Sequence, residues 1–153
     1  MATSTSAGAK FYIGTTTEAE NLSQFQADTY VQVKELEDIG EFGDEATEVN
    51  YTTLDLNRVQ RRKGSRDAGV LALTCIRDPL DAGQQAMIAA SKEDDEYNVK
   101  IVADDAADGG TPTTFYMRTV IMSAKVNFSG ADDMTRVTFQ VGINSEILEV
   151  EAT

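Results

Sequence analysis

The stretch from Gly69 to Asp104 constrains this chain most, because it encodes a strand, a sharply capped helix and a second strand in direct succession. Gly69-Val-Leu-Ala-Leu-Thr-Cys-Ile-Arg77 is nearly continuously apolar and is bounded by Gly69 and by Asp78-Pro79. Such a run fits a buried strand or a buried helix; its short length and β-branched residues favour the strand. Asp78 suits an N-cap, since its carboxylate can accept an orphan amide. Pro79 suits the first helical position, which needs no donor. Leu80, Met87 and Ile88 then share one helix face, with Gly83 and Gln84 between them. Ser91-Lys-Glu-Asp-Asp95 ends the helix. In Glu96-Tyr-Asn-Val-Lys-Ile-Val-Ala103, Tyr97, Val99, Ile101 and Ala103 alternate with mostly polar residues, the pattern of a half-buried strand. A helix with one apolar face, flanked by strands, must pack on a sheet.

The rest of the chain reads mostly as strands. Phe11 to Gly14 is a short one. Thr17-x-x-Glu20 resembles a capping box, which places a short helix or a polar loop over Glu18 to Gln26. Tyr30 to Leu36 alternates, with Val31, Val33 and Glu35 on one side. Thr47 to Leu54 alternates too. Asp104 to Pro112 is turn-rich, and Thr113 to Phe128 is a long strand with Val120, Met122, Ala124, Val126 and Phe128 on one face. After the turn Ser129 to Asp133, Thr135 to Ile143 returns with Val137, Phe139, Val141 and Ile143 inward. Ile147 to Val150 is a last strand. At 153 residues this is most simply a single domain, 1–153, in which residues 1–10 read as a flexible arm without the apolar core of a secretory signal. The expected class is mainly β with one flanking helix, an α+β arrangement.

Charge and residue type exclude several functions. The net charge of −13 lacks the positive clustering that grips nucleic acid or an anionic membrane. No 18-residue apolar run is present to cross a membrane. The chain has no histidine, which removes the commonest general base, the usual triads and most zinc sites. No phosphate loop, GxSxG or CxxC is present. Asp104, Asp105 and Asp108 do not match calcium-loop spacing and read as a solvated turn. Asn21, Asn50 and Asn127 begin chance glycosylation sequons. The lone Cys75 shares a strand face with Leu71 and Leu73 and reads as a buried, inert thiol. No enzyme, metal or cofactor is expected.

Two charged segments carry more information. Glu35, Glu37, Asp38, Glu41, Asp44, Glu45 and Glu48 form an acidic run without a basic residue, punctuated by Gly40 and Gly43. Arg58, Arg61, Arg62, Lys63 and Arg66 form a basic loop holding five of the thirteen basic residues. Each alone reads as a solvated face. Together they are complementary between copies. Ile39 and Phe42, set among carboxylates, should not be exposed on a monomer without purpose. With Tyr51 these residues form a candidate inter-subunit interface on an extended hairpin and basic loop over residues 36–66. Complementary patches on different faces give heterologous contacts that close into rings or run on as filaments.

The segment order resembles a known family. An alternating strand ends Val33-Lys-Glu-Leu-Glu-Asp-Ile-Gly40. An acidic hairpin, Tyr51-Thr-Thr-Leu54, the basic loop, Gly64-Ser-Arg-Asp-Ala-Gly69 and then a strand follow, before Asp81-x-Gly-Gln84 opens a helix. This is similar to the tail tube (major tail) protein of long-tailed bacteriophages. The resemblance implies a β-sandwich or small barrel with a long protruding hairpin that reaches neighbouring subunits. It further implies homohexameric rings stacked into a hollow tube, a place in the virion tail, and synthesis in the cytoplasm of the bacterial host. Tape measure, tail terminator and tail-tip proteins are the implied partners, and DNA would pass the lumen without specific binding. The inner tube of a contractile injection or secretion device is an alternative. So is a monomeric β-sandwich binding module, although eleven aromatics and no tryptophan offer few platforms.

Overall fold

The structure is a computed structural model and describes residues 4–106 and 109–153. Asp108 of the turn considered above, and residues 1–3 of the arm, lie outside the described residues. The elements are β1 (Lys10–Ile13), α1 (Leu22–Ala27), β2 (Val31–Val33), β3 (Leu36–Asp38), β4 (Glu45–Thr52), β5 (Val59–Asp67), β6 (Val70–Ile76), α2 (Ala82–Ser91), β7 (Tyr97–Val102), β8 (Thr114–Asn127), β9 (Arg136–Ile143) and β10 (Leu148–Val150). Strands dominate, and the class is mainly β within α+β.

Seven strands run in the order β2-β1-β7-β8-β9-β6-β3, with β10 added on β8, and every described pairing is antiparallel. Laid flat, the edges β2 and β3 would stand about 29 Å apart at roughly 4.8 Å per strand spacing. Yet only Lys34 and Glu35 separate them, a span of at most about 11 Å. The sheet therefore curls until its edges meet, and it is a small barrel with a seam. The alternation of Tyr30 to Leu36 predicted one strand. The chain instead crosses the seam there, and Glu35 takes a φ of 62° to turn the corner.

The core fills the inward face. Leu71, Leu73 and Cys75 of β6, Val137, Phe139, Val141 and Ile143 of β9, and Phe11, Ile13, Val33, Val99, Ile101, Met117 and Ile121 are all buried in one cluster. The Cys75 thiol is pushed up to about 12, by burial first and then by the nearby Asp81 charge. The outward face of β8 is covered separately. Phe25 of α1 lies on Tyr116 with ring centroids 5.9 Å apart, and Tyr30 adds a second ring at 6.3 Å. That short helix is capped by Asn21, whose side chain accepts from the Gln24 amide; Thr17 does not cap it.

Three local expectations are corrected. Helix α2 begins at Ala82 rather than Pro79. Asp78 spends its carboxylate on the Leu80 amide in a preceding turn, and Asp81 caps the helix by accepting from the Gln84 amide at 3.1 Å. Leu80 consequently points to solvent, while Gly83, Gln84, Met87 and Ala90 are buried. In β8 a register shift between Ile121 and Ser123 puts Met122 outside. The inward residues are thus Met117, Thr119 and Ile121 before the shift, with Ala124 after it. Arg58 to Arg66, read as a loop, is the last residue of the preceding turn, Arg58, followed by strand β5, which pairs in a ladder with β4.

A polar network escaped the sequence reading. The Arg118 guanidinium bonds Glu96 at 2.8 Å, the Asn98 side-chain oxygen at 2.9 Å, and the carbonyls of Thr16 and Thr17. Buried Asn98 donates to the Thr17 carbonyl and to Asp28. For Asp28, partial burial alone would raise its pKa. Hydrogen bonds from the Thr15 hydroxyl and amide, Asn98 and the Thr29 amide outweigh it and hold the carboxyl below its ordinary value. The network pins Thr15–Thr17 over the β7–β8 pair.

Candidate subunit interface: a ribbon outside the barrel

Strands β4 and β5 pair only with each other among the described residues. Eight residues of strand reach roughly 27 Å, so the ribbon projects well beyond the barrel. The chain leaves the barrel after β3 and re-enters it at β6. A two-stranded ribbon is marginally stable in water on its own, and nearly every side chain of this one is exposed.

Cross-strand pairing sorts its side chains onto two faces. Val49 opposes Arg62 and Tyr51 opposes Gln60 on one. Glu48 opposes Lys63, Asn50 opposes Arg61, and Thr52 opposes Val59 on the other. The charged pairs are therefore partly made within the chain. Arg61 Nε bonds Glu48 at 2.5 Å, and the Arg62 guanidinium lies 5.8 Å from the Tyr51 ring centre. Both contacts are open to water, where an ion pair is worth about 0–1 kcal/mol. At the base the pairing works against stability, because Glu45 stands opposite Asp67. A register shift between Ala46 and Glu48 interrupts the ladder just there. Gly64 sits at the same place, where an added β-carbon would lie 3.0 Å from a Val49 methyl and 3.1 Å from the Thr47 carbonyl oxygen.

The acidic segment divides in two. Glu37 is paired with Arg136 at 2.7 Å, and the Asp38 carboxylate accepts from the Gly40 amide. Ile39 and Phe42 are half-buried anchors on the core, and Phe42 meets Phe115 edge-on at 5.1 Å. Their expected exposure is thus corrected: they hold the approach to the ribbon against the barrel. Gly40, at φ 93°, passes so close to β6 that a β-carbon would lie 2.9 Å from the Ala72 carbonyl oxygen. Glu41, Gly43, Asp44, Glu45 and Glu48 remain exposed, as do Tyr51, Arg58, Arg61, Arg62, Lys63 and Arg66. The structure brings Glu48, Tyr51, Arg61, Arg62 and Lys63 together on the ribbon and leaves Glu37 and Asp38 on the barrel.

The sequence reading missed the tip. Thr53 to Arg58 form the turn, closed by the Asn57 amide on the Thr53 carbonyl at 3.0 Å, with Asn57 itself left-handed at φ 46°. Leu54 is fully exposed and Leu56 is 61% exposed. The signal was present as two leucines flanking Asp55 between strands.

No family model matches the sequence, and no curated protein matches it. Solved structures do match its shape. The SPP1 tail tube superposes with a TM-score of 0.64 at 13% identity, over 94% of this chain and 76% of that one. A chain of the sheath/tube terminator of PVC, an extracellular contractile injection system, gives 0.63 at 10% identity, over 93% and 92%. A chain of the anti-feeding prophage baseplate gives 0.60 at 12% identity, over 94% and 91%. Along almost its whole length, this chain has the fold of the SPP1 tail tube and of chains from contractile injection systems.

Proposed function

We propose that this protein is a structural, tube-forming subunit, with no catalytic role, whose copies assemble into six-membered rings stacked as a hollow phage tail tube. The observation that carries the reading is the ribbon: a two-stranded element with both faces exposed, set on a barrel that has a tail tube's fold. Such an element gains order when a neighbouring copy covers it. The net charge of −13 suits a conduit through which DNA slides without being held, since an acidic wall repels phosphate. Tape measure, terminator and tail-tip proteins would then be its partners in the virion.

Light scattering over a concentration series, with negative-stain microscopy of the concentrated protein, tests this. Rings or tubes with a central hole are expected. A monomer at every concentration rejects the reading. The inner tube of a contractile device is a second reading. It is favoured by this chain's coverage of 92% and 91% of the two contractile-system chains, against 76% of the SPP1 chain. Binding of assembled tubes to a sheath protein separates the two.

A further inference from the structure

We propose that the ribbon is a swinging arm, hinged where it joins the barrel and steered by charge toward the corner at residues 143–146. The device belongs to the single chain and goes beyond the tube reading.

Two stalks attach the ribbon. On the first, Phe42 packs against Phe115, and only Gly43 and Asp44 lie between that anchor and β4. On the second, β5 ends at Asp67, the Ala68 methyl sits in the core cluster, and the Gly69 carbonyl accepts from the Ile143 amide at 3.0 Å. Gly43 and Gly69 both have a positive φ, 154° and 83°. A β-carbon added at either would meet no atom within 4 Å, whereas at Gly40, Gly64 and Gly83 neighbouring atoms would crowd it. Close packing therefore does not account for Gly43 and Gly69, and backbone freedom does. A few residues at the ends of elements that absorb changes in φ and ψ are what a hinge requires. Ala68 is the pivot, and the two ribbon strands, paired only with each other among the described residues, move as one body.

Two open clefts at the root give the arm room. One, of 580 Å³, is lined by Glu41, Asp44, Glu45 and Asp67 and by no basic residue. The other, of 550 Å³, lies between Asp44, Arg66 and Asp67 and the corner Ile143–Glu146. Asp44 and Asp67 are common to both, so the clefts differ electrostatically by Glu41 and Glu45 in the first against Arg66 and Glu146 in the second. Like charges hold the first cleft open. Arg66 on the ribbon and Glu146 on the barrel draw the second one closed. These groups face water, so salt weakens both effects.

The experiment uses the full chain, whose only native thiol is buried. Thr52→Cys on the ribbon and Glu149→Cys on β10, both exposed, carry a donor and an acceptor dye. Single-molecule energy transfer is read at picomolar concentration, where each chain is observed alone and tube formation plays no part. A high-transfer population is expected to dominate at about 0.01 M salt. Raising salt to about 1 M shortens the screening length from about 30 Å to about 3 Å and should reduce that population by roughly half or more. Arg66→Glu and, separately, Glu146→Arg should do the same at low salt, and Gly43→Val should narrow the distribution. One narrow efficiency that ignores salt overturns the hinge. A broad distribution that ignores salt and both charge reversals overturns the steering. Either result leaves the tube reading to be judged by scattering and microscopy.

Discussion

The side-chain amide of Gln84 donates to the backbone carbonyl of Lys34 at 3.0 Å, although the two residues lie 50 apart in sequence. The same nitrogen donates to the Ile76 carbonyl at 2.9 Å, and the side-chain oxygen accepts from the Asp78 amide at 2.9 Å. Lys34 follows β2, and Ile76 ends β6. One buried carboxamide therefore bridges the seam where strand pairing stops, and the Asp81 carboxylate assists by accepting from the Lys34 amide.

Gln84→Leu should destabilise the fold by about 2–4 kcal/mol, because it removes the fully buried side chain that partners three part-buried backbone groups. Gln84→Glu should fare no better, since a carboxylate cannot donate to two carbonyls. Urea unfolding measures both, and a loss below about 1 kcal/mol would show that water replaces the bridge.

Gly83→Ala should destabilise by at least about 2 kcal/mol through overpacking, against a helix-propensity gain of about 1 kcal/mol. An added β-carbon would overlap the Gln32 carbonyl oxygen, where α2 rests on β2. Thermal melts of the two proteins decide the sign.

Cys75 should resist thiol reagents in the folded state. Its side chain is fully buried and its pKa is pushed up to about 12, so almost no thiolate exists at neutral pH. Labelling should follow the rate of unfolding in denaturant. Rapid native labelling would place β6 in the wrong register.

Asp28→Ala should cost about 1 kcal/mol at neutral pH, the lower end for a hydrogen-bonded charge because the site is open to solvent. The folded carboxyl has a depressed pKa. Its contribution is therefore present above the unfolded value of about 3.9 and is lost as pH falls through the lower folded value. The stability gap between wild type and variant should close as pH drops below about 4. A gap that is constant in pH would assign the effect to packing.

Arg61→Glu with Arg62→Glu should block assembly and leave the barrel's melting temperature unchanged, since both side chains stand on the exposed ribbon. Part of the effect is internal to the ribbon, because Glu48 loses its partner and Tyr51 its cation. Glu48→Lys should therefore restore ribbon pairing more effectively than substitutions at Glu41 or Glu45, which lie at the base. Amide exchange over residues 45–67 should slow on assembly, and equal protection before and after would exclude the ribbon from the interface.

Much of the barrel was legible because its inward positions obey period two. The inward positions of β6 and β9, with Val99 and Ile101 of β7, were legible in the alternation. Reading failed where tertiary geometry overrode the local pattern. Nothing in Tyr30 to Leu36 marks the seam, since the corner at Glu35 is imposed by two distant sheet edges. Asp78 and Asp81 are both good caps by type, and the sequence offered both; in the fold Asp81 takes the role, accepting from the Gln84 and Lys34 amides. Composition drew attention to the charged residues, and the structure gathers Glu48, Arg61, Arg62 and Lys63 on the ribbon. Composition assigned Ile39 and Phe42 to the surface because it could not see the apolar cluster, including Phe115, that receives them. It also passed over Leu54 and Leu56, because two leucines are too short a run to register as a pattern.

The ribbon has a further consequence, for solubility before assembly. Unpaired strand edges template unwanted strand pairing, and proteins blunt them. Here the two sides of the ribbon are long edges with no further strand paired to them among the described residues. Arg61, Arg62 and Lys63 stand along one side and Glu48 along the other. Charges so placed oppose edge-to-edge pairing in an arbitrary register. On the tube reading proposed above, the side chains that would hold the ribbon to a correctly placed copy would also act as gatekeepers while the protein accumulates.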